Sequence, residues 1–382
     1  IGIGSVGDAV AYAVAMRRQH NDRFRAIMSA LDIDAPATCQ DDLPKGLYGM
    51  SEMFVEGFLY LHRAGVLRRT VGDGIFLHAG FFLGSAGFYD RLRTLPDEVR
   101  RGINMTRISF TNSLLGDEAG KRQQRTNARF INTAMMVTLL GAAVSDALAD
   151  GRVVSGVGGQ HDFVTQGHQL AGARSIIVVP ATREANGKVT SNIVWNYAHT
   201  TIPRHLRDIV VTEYGVADLR GATDEDVIIR LLAIADARFQ DELRQQAVAA
   251  GKLRPDYRLP PMINTPAALT ETIRRADLMD ALPFYPIGSD LTRAEAELAI
   301  ALPAMAQRQR DILALMRELR NGWRWCTDPR LQAALARIDL AQPQSIKDKV
   351  MRLLVASALR REVYDSGRPL FAEALDPAGL PG

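Results

Sequence analysis

Two stretches of this 382-residue chain, 175–180 (SIIVVP) and 208–215 (DIVVTEYG), are continuous apolar runs of strand length, rich in Ile and Val. A strand with one wet face alternates apolar and polar residues, whereas a strand of a parallel sheet is buried on both faces and reads as an unbroken run. Parallel strands need long crossover connections, usually helices. Segments 6–18 (VGDAVAYAVAMRR) and 51–65 (SEMFVEGFLYLHRAG) carry apolar residues at helical spacing. Strands alternating with helices and Gly-rich turns predict an α/β fold with open sheets over about 1–235.

Beyond about 222 the pattern becomes helical. The stretch DEDVIIRLLAIADARFQDELRQQAVAA opens on acidic residues, as a helix start does. A Pro-rich break at 253–266 reads as a linker, and 292–320, 329–340 and 346–365 read as amphipathic helices. Residues 236–382 are therefore expected to form a mainly helical extension, a packing or oligomerisation module, and a homo-oligomer is expected.

At 382 residues the chain exceeds a typical single core, so two domains or one domain with an extension are expected. The net charge of +3 is small and the basic residues are scattered, which argues against nucleic acid while leaving a phosphate-bearing small molecule possible. The cysteines, Cys39 and Cys326, stand far apart without CxxC spacing. That argues against a disulfide scaffold or zinc site and fits a reducing, cytoplasmic compartment. The longest apolar run, 133–144, is too short to span a bilayer, so no membrane partner is expected. The chain opens on IGIGSVGDAV without Met or a charged leader, and so reads as a fragment.

Three Gly-rich sites carry candidate chemistry. In 2–10 (GIGSVGDAV), Gly2, Gly4 and Gly7 precede a helical pattern, so the turn is either a phosphate or oxyanion cradle or a plain helix entry. In 155–167 (SGVGGQHDFVTQG), Gly156, Gly158 and Gly159 admit close backbone approach to a ligand, the alternative being a hairpin tip. In 210–221 (VVTEYGVADLRG), Glu213 ends a buried-strand pattern, where ligand sites of α/β sheets gather, or else caps its turn or pairs with Arg220. Two acids, Glu52 and Glu56, interrupt the apolar segment 46–58 (GLYGMSEMFVEGF), with Gly46 and Gly49 shaping a turn ahead of a helix. On a helix they share a face, and the local pattern does not rank them. The histidines His161, His168, His199 and His205 lack HExxH spacing, and no metal is expected. No GxSxG elbow or Walker A motif occurs.

Taken in order, GIGSVGDAV, SEM with Glu52, FTNS with Asn112, SGVGGQHDF, GKVTSNIV and VVTEYGVADLRG resemble the C-terminal half of the acetyl-CoA hydrolase/transferase family. That group belongs to the class I CoA-transferases and includes succinyl-CoA:acetate and 4-hydroxybutyrate CoA-transferases. The resemblance covers about residues 1–235 and implies the open-sheet, NagB/RpiA-like fold of that class. It implies Glu52 as a nucleophile that forms a glutamyl-CoA thioester through a mixed anhydride. The backbone N–H groups of Gly159 and Ile3, together with Asn112, would be the oxyanion donors. Coenzyme A, as a substrate, would lie along Gly2, Gly4, Ser5, Val6, Ser155 and Gly158, with Glu213 as a supporting acid nearby. The implied partners are acyl-CoA and small carboxylates, and transferase and hydrolase differ in whether a carboxylate or water is the acceptor. A non-catalytic CoA-binding module and a nucleotide-dependent α/β enzyme are the alternatives. Departures are SEM where family members read HTEM, and a polar insert at 17–42. The N-terminal half, where the family places carboxylate-recognising residues, is not in this sequence.

Overall fold

The computed structural model describes residues 2, 4–33, 43–185, 187–259, 261, 263–308 and 312–372. The chain divides into two compact units, one of residues 1–84 and 91–273, the other of 85–90 and 274–382. Ile3 and Cys39 lie outside the described residues. Among the described residues no helix is long and apolar enough to cross a membrane.

The first unit begins with α1 (Ser5–Gln19) and α2 (Asn21–Ala30), both in segments of helical periodicity. Strand β1 (Gly49–Phe54) follows, then α3 (Glu56–Arg63). The reading of 51–65 as one helix is thus corrected. Val55 is extended, at φ −119° and ψ 168°, and separates a strand from a helix. Met and Glu favour helix in isolation, but residues 49–54 pair in parallel with β2 (Leu77–Phe82), from Gly49 opposite Leu77 to Phe54 opposite Phe82. Tertiary pairing overrides local propensity here. Gly49 is tightly enclosed, since a Cβ on it would stand 2.9 Å from a Leu77 methyl and 3.1 Å from one of Leu67. Helix α1 packs on α3, and a Cβ on Gly57 would stand 3.2 Å from that of Ala11.

Short helices α4 (Ala86–Arg93) and α5 (Asp97–Arg101) precede β3 (Ile103–Met105), which completes a parallel sheet of order β1-β2-β3. Next come α6 (Ile108–Asn112), α7 (Glu118–Gln124) and β4 (Arg129–Thr133). The apolar run 133–144 folds into β5 (Met136–Thr138) and β6 (Ala143–Val144). Helix α8 (Gln160–Gln169) leads to β7 (Arg174–Val178), the first of the two apolar runs. A hairpin of β8 (Thr182–Ala185) and β9 (Lys188–Ser191) precedes β10 (Ile193–Val194). The second run forms β11 (Ile209–Thr212), which turns back antiparallel as β12 (Gly215–Asp218).

In the sheet β12-β11-β7-β4 the two pairings among β11, β7 and β4 are parallel, as expected for buried runs. A mixed sheet β10-β5-β6 lies in the same unit, and all sheets are open. Helices α9 (Asp224–Ala233) and α10 (Ala237–Ala249) divide the acidic-start stretch into two, because Asp236 breaks the helix and caps the second one through its side chain. Val227, Leu231, Leu243 and Ala247 from these helices share one core with Val164, Ile177 and Val210. The Pro-rich stretch, read as a linker, packs on this unit at both ends. Leu253 is buried in this core and Asn264 donates to the carbonyls of Ala233 and Ala235. Helix α11 (Pro266–Arg275) follows.

The second unit is helical: α12 (Arg293–Arg308), α13 (Ile312–Trp325), α14 (Gln332–Arg337) and α15 (Ile346–Leu359), the last continuing as a π turn to Tyr364. Its core includes Leu298, Leu331, Leu335, Val355 and Leu359. The chain is therefore an open-sheet α/β fold with mainly helical C-terminal elements. Helices α13 and α15 approach at Gly322, where a Cβ would fall 1.9 Å from the carbonyl oxygen of Leu353. Backbone cannot yield as a side chain can, so Gly322→Ala should force the helices apart and lower stability by about 1–3 kcal/mol. Urea unfolding of the variant checks this, and an unchanged midpoint would contradict it.

Candidate active site

Glu52 sits on β1 between Ser51 and Met53, which pair with Ala79 and Phe81, so it lies opposite Gly80 of β2. A Cβ on Gly80 would stand 2.1 Å from Cδ1 of Ile108 and 3.0 Å from the carbonyl oxygen of Glu52. Only glycine at this position lets α6 lie against the sheet beside Glu52. The last residue of α6 is Asn112, which is buried, and its Nδ2 donates to Oε2 of Glu52 at 3.2 Å. The hydroxyl of Thr111 donates to Oδ1 of Asn112 at 2.9 Å, which holds the amide with its NH₂ towards the carboxylate.

A second glycine brings in α8. Gly159 is its N-cap, and a Cβ there would fall 2.2 Å from Oε2 of Glu52, 2.6 Å from Nδ2 of Asn112 and 2.9 Å from the Phe163 ring. Gly158, at φ +55°, stands next to it, its Cβ position 3.9 Å from the same oxygen. The first N–H groups of a helix have no acceptor within it and carry the positive end of the dipole. Glu52 thus meets an amide donor and a helix N-terminus together. The glycine cluster leads into a helix and is not a hairpin tip.

Beneath Asn112 lies a buried polar layer that sequence reading missed. Lys121 of α7 is fully buried, and its ammonium donates to the carbonyls of Ser113 at 2.8 Å and Leu115 at 2.7 Å. Arg125, also buried, donates to the carbonyl of Phe110 and to Oε1 of Gln166. Gln166 of α8 in turn donates to the Thr111 carbonyl at 3.2 Å. Both cations lie over the Phe110 ring. Carbonyls at the end of a helix carry partial negative charge, which these cations meet. Burial pushes the Arg125 guanidinium down to about 10 and lowers Lys121 as well, the latter also through the charge of Arg125. The α6 segment bearing Asn112 is thereby pinned from below. The only sequence signal for this was a basic pair at i, i+4 in an otherwise polar helix.

The other expected residues are placed as follows. Gly4 caps α1 at φ +94°, with Gly2, Gly4 and Ser5 exposed and Val6 half-buried, so the turn is open at a helix start. Ser155 is exposed in the loop leading to Gly158, its N–H bonded to the Asp146 carbonyl. Glu213 is exposed in the β11–β12 turn and accepts from the Ala181 N–H at 2.8 Å. Arg220 pairs with Asp218 and Asp208 rather than with Glu213. Glu56 begins α3 and forms an ion pair with Arg91, so it is not on the same element as Glu52. His199 bonds Asp146 at 2.9 Å, a carboxylate whose pKa Thr201 and His199 lower. His161 is exposed.

Residues 84–247 match the family described as acetyl-CoA hydrolase/transferase C-terminal domain. This stretch of the chain belongs to that family. It contains Asn112, Ser155, Gly158, Gly159 and Glu213, whereas Glu52 and the 2–6 turn precede it. The chain is 29% identical over 203 residues to a probable butyrate:acetyl-CoA coenzyme A-transferase of Syntrophomonas wolfei, covering 52% of this chain and 43% of that protein. It is 30% identical over 201 residues to a 4-hydroxybutyrate coenzyme A transferase of Clostridium kluyveri, covering 51% and 44%. A succinyl-CoA:cyclohexane-1-carboxylate CoA transferase of Geobacter metallireducens is 33% identical over 172 residues, covering 44% and 36%. The chain spans less than half the length of these relatives.

His78 ties the polar layer to pH. It is buried on β2, its Nδ1 2.7 Å from the Tyr48 hydroxyl and its ring against Phe110. Burial, assisted by the charge of Arg125, lowers its pKa from 6.5 to about 4. In the unfolded chain the imidazole takes a proton below its ordinary value, while the folded chain refuses it. Stability should therefore be full above pH ~6.5 and fall by about 2–3 kcal/mol as pH drops towards ~4. Urea midpoints across that window check this. His78→Gln should remove that part of the slope, and an equal slope in both proteins would reject it.

Proposed function

We propose that this chain is the catalytic part of an acyl-CoA:carboxylate CoA-transferase or acyl-CoA hydrolase with Glu52 as nucleophile. The observation that carries this reading is the contact of one Glu52 carboxylate oxygen with Asn112 and with Gly159 at the N-terminus of α8. The family of residues 84–247 and the names of the relatives support the reaction class. Coenzyme A enters as a substrate.

A carboxylate oxygen of Glu52 attacks the thioester carbonyl carbon, and the carbonyl π electrons move to oxygen. Collapse of this tetrahedral centre breaks the C–S bond, releases CoA thiolate and leaves a mixed anhydride on Glu52. The thiolate then attacks the glutamyl carbon and expels the acyl group as a free carboxylate, leaving a glutamyl-CoA thioester. A second carboxylate runs these steps in reverse and leaves as a new acyl-CoA; water in its place gives hydrolysis. The protein supplies covalent catalysis and charge stabilisation, and ping-pong kinetics follow.

Each tetrahedral centre places an oxyanion next to Glu52, and a preset donor there is worth about 3–4 kcal/mol. The Nδ2 of Asn112 and the N–H of Gly159 are the proposed donors. The surround of Glu52 is in part apolar, with Ile108 and Phe163 near its flanking glycines, which limits hydration of a weak nucleophile. The CoA chain is assigned to the exposed glycine loop around Ser155 and Gly158 and to the open turn at Gly2–Val6.

The test uses the chain with acetyl-CoA, followed by borohydride and mass spectrometry of the peptide bearing Glu52. A reduced glutamyl residue and a loss of at least about 10³-fold in turnover in Glu52→Gln are expected. Turnover retained in Glu52→Gln would reject the assignment, and CoA binding without turnover in the wild type would mark a binding module instead. Gly159→Ala places a methyl within the Glu52–Asn112 contact and should lower kcat by about 10²-fold or more. Unchanged kcat there would remove Gly159 from the site.

A further inference from the structure

A cavity of about 530 Å³ in the first unit is away from Glu52. Its walls carry Arg204, Arg207 and Arg220, with His168, His205 and a single carboxylate, Asp224. Helix α8 relates the two places: Gly159 opens it at Glu52, and His168 lies in its last turn. A ten-residue helix is about 15 Å long, so this is a separate site. The proposed acyl transfer does not use it, although Leu219, Arg220 and Gly221 close the glycine motif of 210–221.

The lining residues carry three guanidinium groups and one carboxylate, with Asp218 and Asp208 behind Arg220. Asp224 is already shared, by Arg204 at 3.0 Å, Arg207 at 3.3 Å and Lys252 at 3.4 Å. Arg207 is fixed in place by the carbonyls of Leu140 and Ala222. Arg220 is braced by Asp218 and Asp208. Arg204 reaches Asp224 through Nη1 alone, and a guanidinium has five N–H groups on three nitrogens. The guanidiniums are therefore pre-positioned by partners that do not use up their donors. The rest of the wall is Leu219, Gly221 and Ala222, small and apolar. Gly221, at φ +60°, has open space around its Cβ position.

We propose that this cavity binds a phosphate-bearing organic anion of nucleotide size. Its volume lies within the range of small-molecule sites, about 300–1,000 Å³. Planar guanidinium forks match phosphate oxygens in pairs. The phosphates sit between Arg204, Arg207 and Arg220, and the organic part lies over Leu219 and Ala222.

Calorimetry of the whole chain with ADP, pyrophosphate and succinate as probes tests this. ADP is expected to bind with a Kd below about 1 mM, pyrophosphate more weakly and succinate not detectably. Arg204→Ala should weaken ADP about tenfold, and the double variant with Arg220→Ala further. Glu52→Gln should leave ADP binding unchanged, which keeps the result independent of the acyl-transfer reading. Because Arg220 braces the buried Asp208, a protection assay on the unaltered chain accompanies the variants. ADP should shield Arg204 and Arg220 from butanedione, read by mass spectrometry. No binding of ADP, no protection, preference for succinate, or loss of ADP binding in Glu52→Gln would each overturn the proposal.

Discussion

The close approach of the α8 N-terminus to the Glu52 carboxylate is the contact on which the rest of the first unit's site depends. It joins a residue of the β1-β2-β3 sheet to a helix that packs against the β7 sheet. No side chain fits between them, because a Cβ at Gly159 would overlap both Glu52 and Asn112. A carboxylate there stands beside the N-terminus of a helix that has no side-chain cap of its own. The positive end of the helix favours an acid at that point, and Asn112 supplies its hydrogen bond.

Holding Asn112 against this pair is a second problem, solved with buried charge. Helix α6 has only five residues and cannot be stable alone. Lys121 and Arg125 grip the carbonyls of the 110–115 segment, and Gln166 links them to α8. Buried cations lose hydration, and the hydrogen bonds to carbonyls only partly offset that loss. The lowered pKa values of both groups express the same strain between desolvation and bonding. The gain is position: Gln166 and Gly159 share one helix, so whatever fixes α6 against Gln166 also sets the distance from Asn112 to Gly159.

Much of this was legible in the sequence, and the failures are instructive. The apolar runs at 175–180 and 208–215 became parallel strands because burial on both faces leaves a local mark. The glycines at 158 and 159 were readable since a backbone that must approach closely admits no side chain. Glu52 was singled out, but on the wrong element: Met and Glu at 50–53 look helical, and only pairing with β2, 28 residues on in the chain (Gly49 opposite Leu77), makes them a strand. Glu52 and Glu56 therefore share no helical face, and the ambiguity between them disappears with the geometry. Gly80, Thr111 and Gln166 left no motif, and Lys121 and Arg125 left only a basic pair at i, i+4, because what each does depends on the partners that the fold brings to it. The Pro-rich stretch at 253–266 looked like a linker because proline marks the absence of regular structure, not the absence of packing.

Helix α8 also orders charge along its length. At its start, a carboxylate and the glycine backbone face each other, where the dipole is positive. At its end, His168 gives a hydrogen bond to the Leu206 carbonyl, and the arginines at 204, 207 and 220 gather nearby, where the dipole is negative. Acid at the N-terminus and bases at the C-terminus each lower the energy of one helix, so neither grouping is costly to keep in the absence of a ligand. The same arrangement leaves opposite requirements at the two ends. On the proposed acyl transfer the first end would receive negative charge that develops on an atom bonded to Glu52, and on the proposed anion site the second would receive negative charge that arrives already formed.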